Sequence, residues 1–163
     1  MSCDISKGKN QLACKGTVSG LKAIYLANYE DYEYVTSSTT AGHLLTDLGT
    51  LTEVFKYELK NTGNSYLQTI ESSTDTGVTV YNQALTFILT NLNAEMEFQV
   101  AQMVKGRPQI FVEASNGKFF LLGLKNGMEI SGTAGIGGAM NSLNGYTLNA
   151  NGMEQDPAWY LDS

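Results

Sequence analysis

The chain has 163 residues, of which 17 are glycine, 2 are proline and 16% carry a charge. Soluble domains average about 25% charged residues, so this balance favours loop-rich β structure over a helical bundle or a disordered chain. The net charge of −6 argues against a large basic face that would bind phosphates, and sequence-specific nucleic-acid binding is therefore not expected.

The first ten residues read MSCDISKGKN and lack the apolar stretch of a signal peptide. No run of about 18 apolar residues predicts a transmembrane helix, so we expect no membrane partner. Cys3 and Cys14 have no nearby histidine and no second pair, which argues against a zinc site. The two cysteines either stay reduced or form a disulfide, and both alternatives remain open. We expect no metal and no cofactor.

The N-terminal part begins with a predicted buried strand over 17–28, where apolar residues occupy both faces. Residues 29–50 lack apolar periodicity and predict a long exposed loop. Long loops in compact domains are usually functional or mobile. The aromatic and acidic part of this loop is a candidate subunit contact through Tyr29, Tyr32 and Tyr34. The alternative is a mobile surface loop without a partner.

Three further strands are predicted over 51–59, 65–72 and 78–90. They are separated by the turn-forming sequences Asn-Thr-Gly-Asn at 61–64 and Ser-Thr-Asp-Thr-Gly at 73–77. Because each connection is short, this part of the sequence predicts a meander of three antiparallel strands.

A single helix is predicted over 93–105. Asn93 is a favourable N-cap, Gly106 suits the position after the helix, and Pro108 prevents continuation. Apolar residues recur on one face, and we expect that face to pack on a sheet. These residues are Met96, Val100, Met103 and Val104.

The C-terminal part returns to β structure, with Asn-Gly turns as the strongest signals. Strands are predicted over 109–114, 118–124, 128–131 and 146–150.

Residues 132–141 contain four glycines and predict a flexible arm that becomes ordered against a neighbouring subunit. Ile136 and Met140 are the candidate apolar contacts of this arm. The segment lacks the Lys followed by Ser or Thr of a nucleotide-binding loop, and no helix follows its last glycine. Nucleotide binding is therefore not expected.

Catalytic chemistry has little support in this sequence. His43 is the single histidine, and no nucleophile elbow accompanies it. The acidic pairs Glu30 with Asp31 and Glu95 with Glu97 fall on the predicted loop and on the first helical turn, where solvation explains them. We therefore expect a protein that is not an enzyme, although a cleft built from distant carboxylates stays open as an alternative.

A resemblance to a known group of proteins begins at residue 105. An ordered string of short motifs, covering about a third of the chain, resembles small virion proteins of tailed bacteriophages, particularly those of gut Bacteroidetes hosts and the crAss-like phages. The motifs are KGR at 105–107, IFVE at 110–113, NGKFFLLG at 116–123, NGME at 126–129, LNGYTL at 143–148, GME at 152–154 and PA at 157–158.

The resemblance implies a non-enzymatic structural protein of the phage tail or neck, made in the host cytoplasm and located in the virion. The order of predicted elements is similar to the tail-tube fold, a mainly β (α+β) antiparallel sandwich or barrel with one flanking helix. We expect one domain over 1–163 that assembles into a ring of about six or twelve copies by heterologous contacts. Partners would be other tail, neck or portal proteins, and DNA would pass the acidic lumen without binding.

The alternative function is a decoration or receptor-binding module that recognises host glycans. Its candidate contacts are the loop from Tyr29 to Tyr34 and Trp159, since aromatic side chains are enriched in binding surfaces. Trp159 is thus a candidate contact in either hypothesis.

Overall fold

A computed structural model describes residues 5, 7–11, 16, 18–30, 34–39, 42–47, 49, 51, 53–59 and 63–161. The predictions for Cys3, Cys14 and Tyr32 lie outside these residues.

The described residues form eleven strands and one helix. In chain order these are β1 (Leu21–Ala27), β2 (Val35–Thr39), β3 (Gly42–Asp47), β4 (Phe55–Glu58), β5 (Ser65–Ser73), β6 (Val78–Thr90), α1 (Ala94–Lys105), β7 (Gln109–Ala114), β8 (Phe119–Leu122), β9 (Glu129–Ile136), β10 (Asn144–Glu154) and β11 (Trp159–Leu161).

The strands form two sheets that pack face to face. The larger sheet has seven strands in the order β2-β3-β11-β8-β7-β1-β4, and the smaller has four in the order β5-β6-β10-β9. Neighbouring strands are antiparallel except β3 and β11, which are parallel. The prediction of a mainly β sandwich with one flanking helix is confirmed, and the sheets do not close into a barrel.

The main core lies between the two sheets. Alternate residues of β1, β7 and β8 face the smaller sheet because successive side chains of a strand point to opposite faces. Burying each large apolar side chain contributes about 1.5–3 kcal/mol. The buried core residues include Ile24, Ile110, Val112 and Leu122 from the larger sheet, and Leu85, Phe87, Tyr146 and Leu148 from the smaller one.

A second apolar cluster involves the opposite face of the larger sheet. Phe111 and Leu121 neighbour Ile110 and Leu122 in sequence and so point the other way. Ala27 of β1, Leu45 of β3 and Trp159 of β11 complete the buried part of this cluster. The C-terminal strand therefore ties β3 to the rest of the sheet.

The predicted long loop over 29–50 is wrong, because β2 and β3 lie within it and pair from Val35 to Asp47. These strands consist mostly of Ser, Thr and other polar residues, so they lack the apolar alternation that marks a half-buried strand. Pairing with β11 stabilises them instead, and this partner is distant in sequence.

The predicted meander is also wrong in its first strand. β4 pairs with β1 in the larger sheet, with Tyr57 opposite Ile24, while β5 pairs with β6 in the smaller sheet. The chain between β4 and β5 therefore crosses from one sheet to the other. A short connection between two strands does not show whether they pair with each other, so the sequence did not reveal this crossing.

The predicted helix is confirmed. The side chain of Asn93 accepts a hydrogen bond from the Met96 amide at 2.8 Å, and Gly106 follows the last helical residue. Met103 is buried, with Met96 and Val100 packed against the core. Val104 does not belong to this face, since it is 48% exposed. It is rotated by about 100° from Met103, which turns it out of the core.

Replacing Val100 with aspartate should destabilise the protein by about 1–3 kcal/mol, because a charge would enter the helix–sheet contact without a partner. The matched control is Val104→Asp, four residues later on an exposed part of the same helix. Urea denaturation followed by circular dichroism measures both. Equal effects of the two variants would contradict the assignment of the buried face.

Candidate subunit-contact surface

Two of the predicted contact residues, Tyr29 and Tyr34, make contacts within the chain. The Tyr29 hydroxyl donates to the Lys125 carbonyl, and the Arg107 guanidinium lies 4.7 Å from the centre of the Tyr29 ring. The Tyr34 hydroxyl donates to Oε1 of the buried Gln109 at 3.1 Å. Both tyrosines thus fix neighbouring segments of their own subunit, a role that sequence composition cannot distinguish from an intersubunit contact.

Trp159 is a core residue and not an exposed contact. Its side chain is only 7% exposed, and the His43 ring packs against it edge to face with centroids 5.1 Å apart. Burial follows from the pairing of β11 between β3 and β8. The sequence could not reveal this, because a three-residue strand has no periodicity of its own.

Ile136 and Met140 are exposed, as the contact hypothesis requires. Ile136 is 73% exposed at the end of β9, and Met140 is fully exposed in the turn that follows. The predicted flexible arm over 132–141 is nevertheless wrong in its first half, since β9 continues to Ile136 and pairs with β10 throughout. The amide of Gly137 donates to the carbonyl of Leu143 at 3.0 Å and closes the turn.

Two glycines of this hairpin, Gly132 and Gly145, have a packing role. A Cβ atom at Gly132 would collide with the carbonyl oxygen of Thr147, and one at Gly145 would collide with that of Leu89. Glycine in a strand often marks such a close approach of two backbones. Gly132 therefore serves close strand packing, whereas a Cβ at Gly135 or Gly138 would meet only open space.

The most prominent exposed feature was not predicted as a contact. β6 has 13 residues, but β10 pairs with it only from Tyr81 to Thr90. Beyond this point β5 and β6 continue as a two-stranded hairpin, which we call the ribbon (residues 70–81). Ile70 pairs with Tyr81 at its base, and Ile70 is 63% exposed.

The outer part of the ribbon is solvent-exposed from Ile70 to Thr79. Its strands are held by backbone pairing and by a contact of 3.0 Å between the hydroxyls of Ser72 and Thr79. Its charged residues are Glu71 and Asp75. The signal that could have found it is strand length, because strands average about 5–6 residues and β6 greatly exceeds this.

A buried polar cluster fixes the connection that leads from the larger sheet to the smaller one. Among the described residues the buried polar side chains are Gln83, Gln109 and Glu154, and all three bind the turn over 123–127. Gln83 Oε1 accepts from the Gly123 amide at 3.1 Å, and Gln109 Nε2 donates to the carbonyl of Leu124 at 2.7 Å. The turn is thereby held by strands of both sheets.

Glu154 makes the largest number of contacts in this cluster. Its Oε1 accepts hydrogen bonds from the amides of Lys125 and Asn126, each at 3.1 Å, and its Oε2 accepts from the Asn126 side chain. Burial raises the pKa of Glu154 above its ordinary value and outweighs these hydrogen bonds and the nearby Lys125 charge, which act in the opposite direction. Ionising the Glu154 carboxyl group in the folded protein therefore costs desolvation free energy.

Within the described part of the chain, no group of three or more His, Cys, Asp and Glu side chains is placed to hold a metal ion. The helix found there has 12 residues, which is too short to cross a bilayer.

These features define a two-sheet β-sandwich with a flanking helix, two exposed hairpins and a buried polar cluster at the crossover between its sheets. Comparison of the chain with protein-family models, with curated proteins and with solved structures gives no significant match in any of the three.

Proposed function

We propose that this protein is a structural component of a bacteriophage virion, which assembles with copies of itself into a ring or tube layer of the tail or neck. The observation that carries the self-assembly is the ribbon, which extends beyond the sandwich and exposes Ile70 and Val78. An isolated two-stranded hairpin is at best marginally stable in water. Packing against another subunit would stabilise it.

The open edges of the sheets support the same proposal. β9 lies at the edge of the smaller sheet and pairs with β10 on one side only. Proteins that avoid edge pairing place lysine or proline on such strands. β9 contains neither, and Glu129 is its charged residue. Because α1 contacts β9, only the part of this edge that lies away from the helix is open to pairing with a second chain.

The assignment to a phage tail or neck is supported by the string of motifs between 105 and 158 that resembles phage virion proteins. The net charge of −6 on each copy fits a conduit through which DNA passes without adhering. Antibodies raised against the protein should label the tail or neck of phage particles in immunogold electron microscopy. Labelling confined to capsids, or absent from particles, would contradict this location.

Removing the ribbon should abolish self-assembly and leave the subunit folded. In the variant, residues 70–81 are replaced by Asn-Gly, which joins the paired residues Thr69 and Asn82 in a tight turn. We expect a free energy of unfolding within about 1–2 kcal/mol of the wild-type monomer, since most removed side chains are exposed. Light scattering and negative-stain microscopy should show wild-type rings and a monomeric variant.

The matched control replaces Thr74 and Thr76 with serine, which changes the turn and keeps the ribbon at full length. This control should assemble like the wild type. Rings formed by the shortened variant would exclude the ribbon as a contact. A wild-type protein that stays monomeric at every concentration would contradict self-assembly itself.

A further inference from the structure

A shallow apolar pocket of about 150 Å³ lies on the face of the larger sheet that is turned away from the smaller sheet. Only apolar surface lines it, and it is open to solvent. The lining residues are Tyr25, Leu51, Val54, Phe111, Phe119 and Leu161.

The ribbon of the same subunit cannot reach this pocket. Tyr25 and Phe111 point to the face of the larger sheet opposite to that of Ile24 and Ile110, which pack against the smaller sheet. The ribbon extends the smaller sheet, so the larger sheet stands between it and the pocket. An occupant from a ribbon must therefore come from a second copy of the chain.

The two surfaces match in apolar character. Ile70 is a branched aliphatic side chain at the ribbon base, exposed beside Tyr81, and the pocket accepts a side chain of this kind between aromatic walls. The rings of Tyr25 and Phe119 lie 6.2 Å apart and form one such wall. Docking would remove this exposed aliphatic side chain from water, which favours association.

The two surfaces also match in charge. The ribbon carries Glu71 and Asp75, and no lysine or arginine occurs anywhere between residues 61 and 104. Lys56 lies at the pocket, with its Nζ 5.8 Å from the centre of the Tyr25 ring. Its pairing with Glu58 at 3.8 Å joins two exposed side chains and is weak, so Lys56 remains available to an incoming carboxylate.

We infer that the ribbon of one subunit docks into this pocket on the next subunit, with Ile70 as its apolar anchor. The inference rests on the proposed self-assembly and names the surfaces that carry it. A protrusion and a pocket at different places on one molecule form a heterologous contact, which closes into a ring or extends into a filament. Each subunit in a closed ring would then both give a ribbon and receive one.

A mixing experiment tests this contact directly. Ile70→Asp disables the ribbon and keeps the pocket, while Val54→Asp disables the pocket and keeps the ribbon. Each variant alone should be monomeric in size-exclusion chromatography with light scattering. An equimolar mixture should give dimers and nothing larger. In each dimer the intact ribbon of the Val54→Asp subunit would occupy the intact pocket of the Ile70→Asp subunit, and no further contact could form.

Matched controls separate docking from a general effect of a new charge. Leu67→Asp places the charge on the same strand at a side chain that is 66% exposed, and Val18→Asp does so at an exposed valine outside the pocket. Both should assemble like the wild type. Thermal melts confirm folding, and Ile70→Ser and Val54→Ser, which add no charge, replace any aspartate variant that fails to fold.

The outcomes distinguish this inference from the proposed function. If the wild type assembles and either pocket or ribbon variant assembles equally well, the docking contact is excluded while self-assembly stands. Monomeric variants whose mixture also stays monomeric would exclude the pairing of these two surfaces. A wild type that never assembles would overturn both proposals.

Discussion

Replacing Glu154 with alanine is expected to destabilise the protein by about 2–5 kcal/mol. The substitution removes the acceptor of three hydrogen bonds, from the amides of Lys125 and Asn126 and from the Asn126 side chain, and a typical hydrogen bond contributes about 0.5–1.5 kcal/mol. Glu154→Gln is the matched control, since its amide oxygen can still accept from both amides. Chemical denaturation should show a loss for alanine that is at least twice that for glutamine. Similar losses would contradict the role of the acceptor.

The difference in stability between the wild type and Glu154→Gln should also depend on pH. Burial raises the pKa of Glu154 in the folded state, so the folded protein favours the protonated carboxyl more than the unfolded chain does. This contribution to stability is fully present in acid and is lost as the pH rises through the folded pKa. Relative to Glu154→Gln, the wild type should gain stability as the pH falls from about 7 to about 4.

The measurement is the difference in unfolding free energy between the wild type and Glu154→Gln over that range of pH. Taking the difference cancels the titration of the carboxyl groups that do not interact with Glu154, whereas the nearby Asp156 adds to the rise in the Glu154 pKa. A difference that does not change with pH would show that the Glu154 carboxyl is not buried at a desolvation cost.

Replacing Trp159 with alanine should lower the stability of the isolated subunit by about 3–5 kcal/mol, the usual range for a buried tryptophan. The variant would lose the contacts within the second apolar cluster and the packing of the His43 ring. Because β11 holds β3 on the larger sheet, loss of this side chain should also weaken the pairing of β2 and β3.

The matched control is Tyr160→Ala, the next residue along β11, whose side chain is exposed. It should cost clearly less, because Tyr160 is 47% exposed and buries less area than Trp159, even with its ring contact to the buried Phe120. Thermal unfolding of both variants under monomeric conditions gives the comparison. A Trp159 variant with unchanged stability and altered assembly would restore the hypothesis of a subunit contact.

The candidate contact surface was partly visible in the sequence. Ile136 and Met140 were identified as exposed apolar residues because their segment lacks the side chains to build a core of its own. Trp159 was not distinguishable from a contact residue, since composition alone does not show which aromatic side chains their own domain buries. Tyr29, which is 40% exposed, and Tyr34 stay predicted contacts that also make hydrogen bonds within the chain. The ribbon was predicted as two ordinary strands, and nothing in its local pattern showed where β10 would stop pairing.

The sequence by itself determined the local elements. The N-cap Asn93, Gly106 and the apolar residues between them are close together in the sequence. The bounds of the helix could therefore be predicted closely. The Asn-Gly turns likewise located β7 and β8, because a tight turn constrains the residues that flank it. These signals are encoded by neighbouring residues and need no distant partner.

Only the tertiary structure decided which strands share a sheet, which aromatic residues are buried and where a hairpin leaves the sandwich. β11 joins β3 and β8, and the turn over 123–127 is held by Gln83, Gln109 and Glu154 from separate strands. Such contacts join residues far apart in sequence, and the burial of a side chain depends on which distant elements cover it. Local periodicity carries no information about that choice.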